Sequence, residues 1–294
     1  MAAERLKYIT AVVLYGTIGM FLRFTGLPAE VVVLCRGSIG SAVILLALLA
    51  RGRRPDKKAI RANLKLLLAS GVLLGLNWIF LFAAYLVTTV AIASLCNYLA
   101  PVLVILAAPL FLREKLDVRK LPLLALALLG IVFVSGLGEG GANVPGILLG
   151  LAAALCFVGL VLLNRRMQGI EALDKAVIQL AVSALTVLPY VLIRNLGTPL
   201  TITPGGALIV LMLGVVHTGF AYCLYFSGLS RLPVQTVAIL GYLEPVVSVF
   251  CSAFFLREPL SPLGWLGAGL VIAAALISEI LPSPKEKEKE KSLP

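Results

Sequence analysis

Charge is scarce in this chain. Of its 294 residues 13% are Asp, Glu, Lys or Arg, about half the share of an ordinary soluble domain. Hydrophobic residues make up 60% and the mean hydropathy is +1.04. A soluble fold of this length could not bury that much apolar surface in one core. Histidine is represented once, by His217. The five cysteines (Cys35, Cys96, Cys156, Cys223 and Cys251) all lie inside apolar segments. None has the CxxC or Cys/His spacing of a metal site, so they read as small buried apolar residues. No Walker-type loop is present, which excludes an ATP site of that kind. The apolar segments lack the clustered Asp, His and Glu that an intramembrane enzyme would need, so neither an enzyme nor a cofactor is expected. No small-residue cleavage site follows the first apolar run, Tyr8–Leu22, which reads as a first helix rather than a signal peptide. The net charge of +11 would suit a nucleic acid, but the basic residues occupy short loops and no basic-aromatic stripe accompanies them. No nucleic-acid partner is expected. The bilayer is.

A helix that crosses a bilayer needs about 20 mostly apolar residues. Ten such segments can be drawn, at 8–22, 29–50, 64–87, 90–112, 119–137, 144–163, 174–193, 205–229, 233–256 and 262–281. With a cytoplasmic amino terminus, 21 of the 25 basic residues fall in cytoplasmic loops or the tail, and only Arg23, Arg194 and Arg257 in outer ones. That bias places both termini in the cytoplasm and the chain in the inner (plasma) membrane, as a multi-pass protein. Residues 282–294, rich in alternating Lys and Glu, read as a disordered charged tail.

The chain is repetitive at a shift of 144 residues. Tyr98-Leu-Ala-Pro-Val matches Tyr242-Leu-Glu-Pro-Val, and Phe111-Leu-Arg-Glu matches Phe255-Leu-Arg-Glu. Over the 17 positions from Tyr98 to Glu114 there are eight identities without a gap. Shared apolar composition supplies Leu and Val matches, but hardly Pro, Tyr and Arg-Glu in register. Two units of five spans follow, 1–140 and 141–281. Because five is odd, the second unit is inverted relative to the first. The expected fold is therefore an all-α membrane protein of ten transmembrane helices in two inverted repeats, both termini inside. Inverted repeats are the architecture of alternating-access carriers, since each half can take up the other's conformation. Pro101 and Pro245 fall mid-span at equivalent positions, where a lost backbone hydrogen bond suits a hinge or a static kink.

Polar residues inside the spans are the candidate site. Arg36 sits about 10 Å into the second span at 1.5 Å per residue. A charge there should face a cavity or a partner. It could hold a carboxylate or phosphate, pair with an acid, or snorkel past Glu30. Glu244 is the one acid deep in a span, and its repeat mate is Ala100. It could bind an ammonium group, exchange a proton, pair with Arg36, or serve as a hydrogen-bonding post beside Pro245. His217 could titrate near neutrality or simply pack. Asn77, Trp78, Asn97 and Tyr98 in the first half, with Tyr15, Tyr222, Tyr225 and Tyr242, supply aromatic faces and a few polar groups for an amphipathic solute, a cation included. Gly16/Gly19, Gly37/Gly40, Gly71/Gly75 and the Gly264–Gly269 stretch permit close helix approach.

With these segments in view, the chain resembles the drug/metabolite transporter superfamily, in its ten-helix EamA-type branch. The residues carrying the likeness are Asn97–Glu114 (NYLAPVLVILAAPLFLRE), Gly241–Glu258 (GYLEPVVSVFCSAFFLRE) and the duplicated unit itself. The resemblance implies a central cavity between the halves with the fifth and tenth helices peripheral. Its members carry amino acids, other metabolites, nucleotide sugars or quaternary amines. A glutamate shared across such cargo leans toward structure, whereas Arg36 lies outside the family pattern and is the better lead on specificity. The dense buried Lys/Arg set of sugar-phosphate carriers is missing. The expected function is a secondary transporter of a small-molecule substrate, an amino acid or related amphipathic metabolite, acting in export. Proton coupling through Glu244 or His217 and simple facilitation both fit, and the sequence does not write the oligomeric state. The alternatives are a carrier of cationic or quaternary amines and, more remotely, an intramembrane enzyme.

Overall fold

The structure is a computed structural model describing residues 2–100, 103, 104, 107, 121–135, 143–194, 201–229, 232, 240, 241 and 243–280. Every regular element among these is helical. In chain order they are α1 (Ala2–Arg23), α2 (Ala29–Ala50), α3 (Lys57–Ala62), α4 (Leu64–Val87), α5 (Val90–Asn97), α6 (Leu121–Ser135), α7 (Val144–Arg166), α8 (Ala172–Arg194), α9 (Pro204–Gly214), α10 (Ala221–Leu229), α11 (Leu243–Phe250) and α12 (Pro262–Ile280). Two π-helical turns interrupt them, Val215–Phe220 between α9 and α10 and Cys251–Phe255 after α11. Hydropathy does not predict such turns, because an i→i+5 turn leaves the apolar composition unchanged.

Among the described residues six helices are long and apolar enough to cross a bilayer: Ala2–Arg23, Ala29–Ala50, Leu64–Val87, Val144–Arg166, Ala172–Ile193 and Pro204–Gly228. Shorter apolar helices cover Ala125–Val134, Leu243–Phe255 and Pro262–Ala274. Large aliphatic side chains stand on the outside of these helices, with Leu46 64%, Leu185 65% and Leu208 67% exposed. Such a surface is stable against lipid tails and not against water. The first helix begins earlier than its apolar run, since a Glu4–Lys7 ion pair at 3.0 Å supports an added turn at its amino end.

Local caps set the boundaries. Thr89 accepts from the Ile92 amide and starts α5 two residues after α4 ends. Asn143 and Thr203 cap α7 and α9, each with proline in the first turn. Asp56 caps α3 through the Lys58 and Ala59 amides. Buried Asp174 then ties the α2–α3 loop to α8, accepting from Arg53 at 2.9 Å and from the Asp56 amide at 3.1 Å.

Helix α4 lies between α7 and α8, α2 packs on α8 and on the first π turn, and α1 packs on α10 and α11. Helices α6 and α12 pack mainly on each other. Polar side chains join the helices inside. Gln179 Nε2 donates to Ser70 Oγ and to Asn164 Oδ1, both at 2.7 Å, linking α8 to α4 and α7. Ser41 Oγ donates to the Val177 carbonyl at 2.9 Å, linking α2 to α8. Such bonds hold helices together where lipid gives no hydrophobic drive.

Close approach depends on glycine where α1 meets α11. A Cβ at Gly16 would fall 2.6 Å from the Glu244 carbonyl oxygen and 2.7 Å from Val247 Cβ. Gly16→Val is expected to destabilise the protein by about 1–3 kcal/mol through overpacking, read as a lower thermal midpoint in detergent. An unchanged midpoint would contradict so tight a contact.

Candidate functional site

Arg36 comes from the middle of α2 and is 2% exposed, so it does not snorkel. Its Nε donates to Thr218 Oγ1 at 2.9 Å. Thr218 sits in the first π turn and its hydroxyl donates to the Leu213 carbonyl, five residues back, at 2.8 Å. With its one proton committed there, the oxygen can only accept from Arg36. The guanidinium carbon lies 4.3 Å from the Trp78 ring centre and 5.3 Å from that of Phe82. Trp78, Phe82 and Tyr85 follow the i, i+4, i+7 stripe of α4, and their rings stack at 6.5 Å and 6.0 Å. A desolvated cation over an aromatic face gains about 2 kcal/mol, which helps explain how the charge is held. Nε is the one guanidinium nitrogen with a hydrogen bond to the described residues.

Glu244 lies on α11 beside buried Pro245. Its carboxylate accepts from the Tyr98 hydroxyl. Arg36 and Glu244 interact electrostatically, yet the ion pairs among the described residues do not join them. Tyr15 and Tyr222 interact with both charges and meet edge to face at 5.9 Å. Tyr225 and Tyr8 extend this aromatic group toward the amino end of α1, their ring centres 5.0 Å apart. The site is thus a cation and an anion, separated and bordered by aromatic rings from α1, α4, α5 and α10.

His217 neighbours Thr218 on the π turn and is buried. Its Nε2 is 3.0 Å from Thr17 Oγ1, and its ring meets Phe21 edge to face. Thr17 gives its hydroxyl proton to the Leu14 carbonyl at 2.8 Å. Thr17 Oγ1 is therefore available as an acceptor for a proton on Nε2. Asn77 spends its amide donors on Asn97 Oδ1 at 3.1 Å and the Ala153 carbonyl at 2.8 Å. Asn77 and Asn97 thereby tie α4, α5 and α7 together. Tyr242 and Pro101 lie outside the described residues.

Thr218, Phe82, Tyr85 and Thr17 join the site without having been expected there, whereas Tyr225 takes its expected place beside Tyr15. A threonine, a phenylalanine or a tyrosine in a transmembrane run carries no signal until its neighbours are known. Thr218→Val leaves the buried Arg36 Nε without an acceptor, a loss of about 1–3 kcal/mol. Thr218→Ser should retain the bond, so serine recovers the thermal stability that valine loses. Equal stability of the two would contradict the contact.

On the face opposite the amino terminus, a cleft of about 330 Å³ is lined by Arg23, Leu86, Val87, Thr88, Thr89, Ile92 and Asn143. It does not reach Arg36.

The sequence profile of the EamA-like transporter family matches twice, over residues 6–136 and 144–279. The uncharacterized transporter YxxF of Bacillus subtilis is 28% identical over 255 residues, covering 85% of this chain and 81% of its own. The aromatic amino acid exporter YddG of Ancylobacter novellus is 28% identical over 253 residues, covering 81% of this chain and 84% of its own. The threonine/homoserine exporter RhtA of Escherichia coli K12 is 29% identical over 170 residues, 56% of each chain. A solved crystal structure superposes with a TM-score of 0.67 at 25% identity, over 95% of this chain and 98% of that one.

Proposed function

Because the chain belongs to the EamA-like transporter family, and is thus a multi-pass membrane transporter of a small-molecule substrate, we propose that it exports a zwitterionic amino acid or a closely related amphipathic metabolite. The carrying observation is buried Arg36, held over the Trp78 and Phe82 rings with only Nε bonded to the described residues, while Glu244 stands apart from it without a salt bridge. A free amino acid presents the complement: a carboxylate for the Nη groups of Arg36 and an ammonium for Glu244 and the tyrosines. Trp78, Phe82 and Tyr85 form an aromatic wall against which an apolar side chain can lie. Two relatives named as amino-acid exporters support the substrate class.

Transport proceeds by alternating access between two inverted five-helix repeats, 1–140 and 141–281, making ten spans in all. The protein sits in the inner membrane with both termini and the 282–294 tail in the cytoplasm, the orientation that puts 21 of the 25 basic residues inside. The two matches of the family profile suit the duplication. Pro101 and Pro245 are the hinge candidates. Glu244 and His217 are the groups through which a proton could couple.

A second reading has one observation in its favour. Glu244 stands among Tyr98, Tyr15, Tyr222 and Tyr225, a setting that also suits a quaternary amine. Uptake into proteoliposomes decides between the two, using labelled L-phenylalanine, L-threonine and choline with and without a pH gradient. Saturable amino-acid flux supports the proposal, and choline flux alone overturns it. Dependence on the gradient identifies coupling.

A further inference from the structure

A row of hydrogen bonds crosses from α5 to α11 and its π turn. Starting on the face opposite the amino terminus, Arg23 Nη2 donates to Glu258 Oε1 at 2.7 Å and to the Thr88 carbonyl at 2.6 Å. The other Glu258 oxygen accepts from the Val90 amide at 2.9 Å and from Ser252 Oγ at 2.5 Å. Ser252 Oγ in turn accepts from the Ala91 amide at 3.2 Å. One turn deeper, Ser94 Oγ and Ser248 Oγ are 2.6 Å apart, with Tyr85 at 3.1 Å behind them. The last rung is Tyr98 on Glu244, the acid of the central site.

Two features make this row more than incidental helix glue. Its rungs lie in antiparallel register. Glu244, Ser248 and Ser252 follow the four-residue stripe of one helix face, and they meet Tyr98, Ser94 and Ala91 in turn. The row is also one-sided. By sequence, the 144-residue shift replaces Ser248, Ser252, Ser94 and Glu244 with Val104, Ala108, Ala238 and Ala100. Those residues have no side-chain hydrogen-bonding group, so the equivalent stretch keeps a tyrosine and a glutamate (Tyr242 and Glu114 for Tyr98 and Glu258) but lacks the serine rungs between them.

We propose that this ladder is the latch that shuts the solute path toward the face opposite the amino terminus, and that its one-sidedness makes that face the closed one in the unloaded carrier. It rests on the alternating-access reading above. Opening means separating α5 from α11, with every rung broken and water admitted between the 330 Å³ cleft and the central site. Extra interactions present in only one of two states shift the population toward that state. Glu258 ties the end of α1, the start of α5 and the segment after α11 through one carboxylate, and the serine rungs, which have no counterpart in the other repeat, supply the bias between the two faces.

The test reads access and needs no substrate, so it stands or falls separately from the amino-acid assignment. Full-length protein with its five cysteines replaced by alanine carries Tyr222→Cys as a reporter in the central site. A second version carries Pro259→Cys, exposed beyond the latch, to show that a membrane-impermeant maleimide reaches that face. With the latch intact, the reporter at 222 reacts at least about 100-fold more slowly than that at 259, the equivalent of about 2.7 kcal/mol. Ser248→Ala with Glu258→Gln raises the rate at 222 about tenfold or more, while that at 259 is unchanged. If the double variant does not elute as a single species, Ser248→Ala alone carries the test. Loss of one interhelical rung then raises the rate about threefold. A rate at 222 that no such variant changes overturns the latch. So does a reporter at 222 that is already as reactive as the one at 259.

Discussion

Replacing Arg36 with alanine is expected to lower amino-acid uptake by about 100-fold or more while leaving a folded protein. The guanidinium is the one described cation within the aromatic group of α4, and its terminal nitrogens make no hydrogen bond to the described residues. A substrate carboxylate taking two charge-assisted bonds there gains about 3 kcal/mol or more, which corresponds to about two orders of magnitude in affinity. Arg36→Lys should not rescue fully, because a point charge cannot reproduce the planar fork or lie flat on Trp78 in the same way. Folding responds differently. Isolated buried charges are costly within the membrane, so removing this one relieves a penalty while it forfeits the Thr218 bond and the ring contacts. The thermal midpoint is therefore expected to shift little, and uptake to collapse. A variant that unfolds in parallel with its loss of uptake would indicate that Arg36 serves the fold.

Glu244→Gln is the second large effect. Glutamine keeps the size of the side chain and an acceptor for Tyr98, so α11 should stay in place. The charge that balances a substrate ammonium is lost. For a zwitterion the expected fall in uptake is about tenfold to 100-fold, the range of one charge-assisted hydrogen bond in a desolvated site. The comparison with Arg36→Ala is diagnostic. A zwitterion carrier suffers from both substitutions, whereas a quaternary-amine carrier loses choline flux with Glu244→Gln and retains it with Arg36→Ala. Should amino-acid flux survive Glu244→Gln undiminished, the ammonium assignment fails and Glu244 is left with its role in the hydrogen-bonded row to Ser248 and Ser252.

Much of the helical layout was legible from hydropathy alone. The runs at 29–50 and 64–87 match α2 and α4 to the residue, because each is a continuous apolar stretch closed by a charged loop or a tight Thr-Thr turn. The π turns were not legible, and one of them places Thr218 against Arg36. Charged residues in apolar runs stand out by their cost, which is why Arg36 and Glu244 could be singled out as single letters. Their surroundings could not be, since Phe82 and Tyr85 differ from lipid-facing aromatics only in what they pack against. Ser248 and Ser252 carried no such mark, because small hydroxyls at four-residue spacing have many ordinary uses in membrane helices. They acquire meaning once Ser94 and Ala91 are found opposite them. Asn77 is the reverse case. It was a reasonable candidate by letter, and the structure uses both of its amide hydrogens to join helices.

The most direct test of Arg36 as the carboxylate site is calorimetric titration of the purified protein in nanodiscs with L-phenylalanine and with its methyl ester, which keeps the ammonium and the ring but lacks the negative charge. The expected result is that the free acid binds about 100-fold more tightly than the ester to the wild type, and that the two become equivalent in Arg36→Ala. An ester that binds the wild type as tightly as the acid would contradict the assignment.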